Sequence, residues 1–234
     1  MVQQRRWRGG ADDKVLARIQ FAHATTAAFA ASLLPLTAVE RAAEIVAADQ
    51  HADGSWRLDA SDSIGSPATY GTALATVAAR RTILASRLPL ADRIARAERW
   101  LSRLAIGNTP DAVAIAFAFA DRDDGPDNWH RALEFIKEGQ GRDGGWGPYL
   151  TAPSEPFDTA LATLALAALS QRRAAPTFTS DARAAAIAAG RGYLLRQQLA
   201  DGSWNETTRP AGQSSYAQRI STTGWALLAL VETR

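Results

Sequence analysis

Nine segments of the chain carry apolar residues at helical spacing, and they alternate between two kinds. The spacing predicts helices over 14–34, 37–50, 70–86, 90–106, 111–120, 129–139, 156–171, 181–198 and 218–234. The second, fourth, sixth and eighth are amphipathic: 90–106 places Ile94, Ala97, Trp100, Leu101 and Leu104 on one stripe and its arginines elsewhere. The other five are alanine-rich and nearly uncharged. In 111–120 alanine alternates with bulky residues, a period that a strand would also give. Its alanines and the Thr109-Pro110 start decide for a helix. Local signals set the other ends. Pro35 closes the first helix, Thr37 and Glu40 have capping-box spacing, and Ser66-Pro67 opens the third.

An uncharged helix needs cover on every side, whereas an amphipathic one needs it on one. The alternation therefore predicts an all-α chain in which the apolar helices form an inner layer and the amphipathic ones wrap it, as an α/α barrel or solenoid. Internal repetition agrees. Gln, two residues, Asp, Gly, a small residue and Trp occur as Gln50 to Trp56, Gln140 to Trp146 and Gln198 to Trp204. The first two turns stand 90 residues apart, two units of 45, and the last two 58 apart, one unit lengthened around 174–180. Thr72-Ala73-Leu74-Ala75-Thr76 returns letter for letter as Thr159-Ala160-Leu161-Ala162-Thr163.

Composition narrows the function classes. The chain has 234 residues, 47% of them hydrophobic, enough for one large core at 13–234. Twenty-six basic and 24 acidic side chains leave a net charge of +2, without the concentrated basic face that nucleic acid requires. No cysteine is present, so disulfides and thiolate metal sites are excluded. His23, His51 and His130 lack ligand-like spacing, so neither a metal nor a cofactor is expected. Residues 1–12 read as a basic arm with Arg5, Arg6, Trp7 and Arg8. The alanine-rich run behind it is broken by Asp12, Asp13, Lys14, Arg18 and His23, so it reads as a first buried helix instead of a cleaved signal. No run has the ~20 apolar residues of a membrane span.

A Gln-x-x-Asp-Gly-x-Trp turn after an amphipathic helix, followed by an apolar helix opening Asp158-Thr159-Ala160, resembles the repeat of squalene-hopene cyclases, oxidosqualene cyclases and protein prenyltransferase β-subunits. The resemblance covers the chain from about Thr37 and implies an α/α toroid. It assigns Gln50, Trp56, Gln140, Trp146, Gln198 and Trp204 to the structural seams between units, and places any chemistry where the inner helices begin, facing a central cavity. Tyr70, Phe117, Phe157 and Trp225 are expected to line that cavity. Family toroids close with six helix pairs, whereas this chain has four pairs and a lone first helix. The expectation is an incomplete toroid, whose exposed apolar flank calls for a second copy, a second domain or a membrane surface.

Class II terpene cyclases carry Asp-x-Asp-Asp-Thr-Ala at an inner-helix start, the middle Asp protonating an alkene or epoxide. Here the register reads Glu155-Pro156-Phe157-Asp158-Thr159-Ala160, with phenylalanine at the donor position. Asp158 and Glu155 remain the candidate acids; their plainer role is to complement a helix N-terminus. Asp111 occupies the same register in its own unit. The literal string Asp121-Arg122-Asp123-Asp124 follows an apolar helix and reads as a solvated turn. Zinc prenyltransferase chemistry fails for want of cysteine. The reading is a toroid that binds an apolar, isoprenoid-like ligand or a protein partner without catalysis; the alternative is an isoprenoid cyclase using Asp158 with Glu155.

Overall fold

The computed structural model describes residues 13–58, 64–120, 125–169, 178–207, 209 and 216–234. Among the described residues the protein is all-α, with nine helices: α1 (Lys14–Ala30), α2 (Leu36–Ala48), α3 (Gly71–Ser86), α4 (Ala91–Leu101), α5 (Thr109–Phe119), α6 (Asp127–Glu138), α7 (Pro156–Leu169), α8 (Ser180–Gln197) and α9 (Tyr216–Glu232). The odd helices follow one another in space, α1 on α3, α3 on α5, α5 on α7 and α7 on α9. The even helices back them: α2 packs on α1 and α3, α4 on α3, α6 on α5 and α8 on α7.

Burial follows the two helix types only in the middle of the row; the end members α1 and α9 bury four of seventeen residues each, which corrects the expectation that every uncharged helix is covered all round. In α5 nine of eleven residues are buried and in α7 twelve of fourteen, whereas α4 buries only Ala97 and Leu101. Trp56, Trp129, Trp146 and Trp204 are fully enclosed. Each such ring withdraws roughly 200 Å² from water, on the order of 5 kcal/mol of transfer free energy. The row bends far enough for its first and last members to meet, His23 of α1 lying 5.8 Å from Trp225 of α9 by ring centroids.

Several helix ends differ from the sequence expectation. The first helix stops at Ala30, ahead of Pro35, because Ser32 turns left-handed at φ 60°. The second begins at Leu36 directly after Pro35, so Thr37 and Glu40 lie inside it and form no capping box. Ser66-Pro67 opens a separate turn closed by Tyr70 N donating to Ser66 O at 2.8 Å, and α3 starts only after Tyr70, held at φ 58°. At α5 the cap is Asn108, whose side chain accepts from Asp111 N at 2.9 Å, with Thr109 already helical. The fourth helix ends at Leu101, where the chain loosens into turns before Gly107.

Candidate functional site

The three Gln-to-Trp turns are built alike. In each, glycine takes a positive φ, at Gly54, Gly144 and Gly202, and the Asp two residues before the small residue accepts that residue's amide. Each indole N–H donates to the carbonyl ten residues earlier: Trp56 to Val46, Trp146 to Ile136, Trp204 to Leu194. Each Trp amide donates to a threonine hydroxyl on the next inner helix, Thr76, Thr159 or Thr223. Thr76 is the last threonine of its Thr-Ala-Leu-Ala-Thr string and Thr159 the first, so the two identical strings sit one helical turn out of register. Gln50 and Gln140 also donate across the seam, to Arg93 O on α4 and Ala186 O on α8, both at 2.9 Å.

Where α7 begins, Asp158 is fully buried and both its oxygens accept from Arg209 Nη2, at 2.9 and 3.1 Å. Arg209 Nη1 stands 3.6 Å from Glu155. Arg209 is tied to α9, since Gln218 Nε2 donates to the Arg209 carbonyl at 2.7 Å. Burial pushes the Asp158 carboxyl up to about 7, and Arg209 restrains the rise. A carboxyl poised there is able to hold a proton at neutral pH, yet its lone pairs face a guanidinium and not a cavity. Phe157, between the two acids, packs edge-on against Trp225 at 6.1 Å and lies 6.0 Å from the Arg209 guanidinium carbon.

Beside this group a cleft of about 350 Å³ opens between α1 and α9, walled by residues that include His23, Ala27, Tyr70, Gly224, Trp225 and Leu228. His23, Tyr70 and Trp225 stand 5.8 to 6.3 Å apart by ring centroids. His23 Nδ1 is 3.3 Å from the Tyr70 hydroxyl. Burial, helped by the charge of Arg81, pushes His23 down to about 4, so at neutral pH this wall is uncharged. The cleft is at the small end of the ~300–1,000 Å³ of ordinary ligand sites.

The structure thus brings Glu155, Asp158, Phe157, Tyr70 and Trp225 into one neighbourhood, with Tyr70 and Trp225 on the cleft wall. Phe157 is wholly buried behind Trp225 and lines no open space, which corrects its expected place in the cavity wall. Phe117, on α5, lies beneath Arg81, 5.7 Å from ring to guanidinium carbon, and is not on the wall of this cleft where it was expected. Asp111 stands apart. It caps its own turn, accepting from Gly107 N at 3.2 Å, and borders a different hollow of about 470 Å³ with Asp53, Thr72 and Trp100. Burial raises Asp111 to about 6. The string 121–124 and the arm at 1–12 lie outside the described residues.

Two participants escaped the sequence reading. Arg209 lies 51 residues from Asp158, and nothing in a lone Arg-Pro pair announces that contact. His23 was weighed for ligand spacing, whereas its place on the cleft wall comes from packing against Tyr70 and Trp225. Among the described residues no group of three or more acidic or histidine side chains offers a metal site, and no helix is long and apolar enough to cross a membrane. Neither protein-family models nor curated proteins give a match to the chain.

Proposed function

We propose that this chain is a toroid-like repeat protein of the squalene cyclase and prenyltransferase type that holds an uncharged apolar, isoprenoid-like ligand in the cleft between α1 and α9 without transforming it. One observation carries the reading: the cleft wall is a neutral set of rings, His23, Tyr70 and Trp225, while Asp158, the fully buried acid beside it, is bound to Arg209. Flat apolar walls with a few polar atoms, the His23–Tyr70 pair among them, favour a hydrocarbon skeleton. The three alike turns, two of them with a glutamine bonded across the seam, support the family part of the reading.

Organic extraction of the purified protein, followed by mass spectrometry, tests it. The expected result is a bound isoprenoid or similar apolar lipid that is lost in Ala27→Trp, which fills the cleft. Protein that is empty after gentle purification and takes up no added lipid overturns the reading.

The second reading, a class II-type cyclase, is favoured by the Asp158 carboxyl being raised to about 7 by burial. General-acid chemistry at neutral pH wants such a group. In that case Arg209 has to withdraw before Asp158 can protonate an alkene, and Asp158→Asn abolishes cyclisation while leaving binding intact. Conversion of squalene or a prenyl diphosphate by the wild-type protein would move the assignment to this reading.

A further inference from the structure

Among the described residues the last inner helix is uncovered on one side, and the uncovered side has a pattern. Ala217, Ile220, Gly224, Leu227 and Val231 are all exposed, and their spacing of 3, 4, 3 and 4 residues is that of a heptad seam. None is charged. The three large ones are 54%, 47% and 52% exposed. Gly224 sits in the middle of the helix, where glycine is unfavourable by about 1 kcal/mol relative to alanine. No close packing among the described residues requires it: Gly224 stands at the edge of the cleft beside Trp225, and a Cβ added there would meet no atom within 4 Å. An exposed apolar seam with a gap at its centre is a surface shaped for another helix.

We propose that this seam is a two-fold interface between two copies of the chain, in which α9 packs antiparallel against α9. With the axis between Gly224 and Leu227, Leu227 of each copy stands opposite Gly224 of the other and Ile220 opposite Val231. The large residue fills the space that the glycine leaves, so the seam is complementary to itself, as an isologous contact must be. Size agrees. Tyr216, 81% exposed, and Leu228 extend the surface along α9. These five side chains present on the order of 550 Å², so two copies cover about 1,100 Å² in all, above the ~1,000 Å² that a specific interface needs.

A lipid surface fits less well. It needs no glycine gap, and the one arginine within α9 is engaged by the protein, Arg219 bonding Asp201 and Ser203.

Sedimentation equilibrium on the full chain tests the proposal. The expected result is twice the chain mass for the wild type, and the single mass for Leu227→Glu and for Ile220→Lys, each with unchanged helical circular dichroism. Ile45→Glu, at an equally exposed site on α2, is expected to remain a dimer. A wild type that stays at the single mass up to its solubility limit overturns the proposal. So does a dimer that survives both seam substitutions, or a monomer that floats with phosphatidylcholine vesicles through the same two residues. Lipid extraction is read separately, so loss of the dimer and loss of ligand are distinguishable.

Discussion

The turn at 140–146 and the turn at 198–204 share their key residues and their internal bonds, but they stand in different surroundings. Around the first, α8 closes the seam: Gln140 donates to Ala186 O, and a Cβ on Gly144 would come within 2.6 Å of Ala189 O. The turn at 50–56 is clamped in the same way by α4, through Arg93 O and Arg96 O. Around the last turn no such helix stands among the described residues. Gln198 is exposed and bonds only Gly202 O, and a Cβ on Gly202 would meet nothing nearer than Gln198 itself at 3.9 Å. The same sequence signal therefore marks a joint in two places and an unmated half of a joint in the third.

Paired substitutions sharpen that contrast. Gly144→Ala meets both the positive φ and a backbone clash and is expected to cost about 3 kcal/mol, whereas Gly202→Ala meets only the positive φ and costs about 1. Urea denaturation midpoints read the difference, and equal losses would mean that the clamp contributes nothing. A smaller gap is expected for the glutamines. Gln140→Ala removes two bonds at ~1 kcal/mol each, while Gln198→Ala loses one exposed bond and stays within about 0.5 kcal/mol of the wild type.

The acids at the helix starts give the next effect, read in pH. Asp158 binds its proton more tightly folded than unfolded, so its contribution to stability is greatest below about pH 4 and is lost as the pH rises through about 7. Asp158→Asn is expected to flatten that decline in thermal melts; a decline of unchanged slope would contradict the burial of the carboxyl. His23 acts the other way. Its folded pKa lies below its unfolded one, so its contribution is complete above 6.5 and is lost as the pH falls toward 4. His23→Gln is expected to remove a shallow loss of stability on the acid side, the smallest of these changes.

Much of the architecture was legible because burial leaves a compositional mark. The Ala-Val-Ala-Ile-Ala-Phe run of α5 has to be enclosed, and it is; the charged stripe of α4 has to face outward, and it does. Helix ends were less legible, since Pro35 and Tyr70 set them through backbone geometry that outweighed the side-chain caps at Thr37 and Ser66. The site was legible in half. Tyr70, Trp225, Glu155 and Asp158 fall where helix starts and aromatic residues suggest. The ion pair to Arg209 joins residues 51 positions apart, which local spacing cannot encode. The exposed apolar flank that the helix count led one to expect is found among the described residues on α9.

The account rests on a neutral cleft that takes a hydrocarbon skeleton. Its most direct test is a calorimetric titration of the wild-type protein with an isoprenoid alcohol and with the diphosphate of the same chain length. The account predicts saturable binding of the alcohol, no tighter binding of the diphosphate, and loss of both in Ala27→Trp. Binding of the diphosphate alone, through Arg81 or Arg209, or binding that Ala27→Trp leaves untouched, would contradict it.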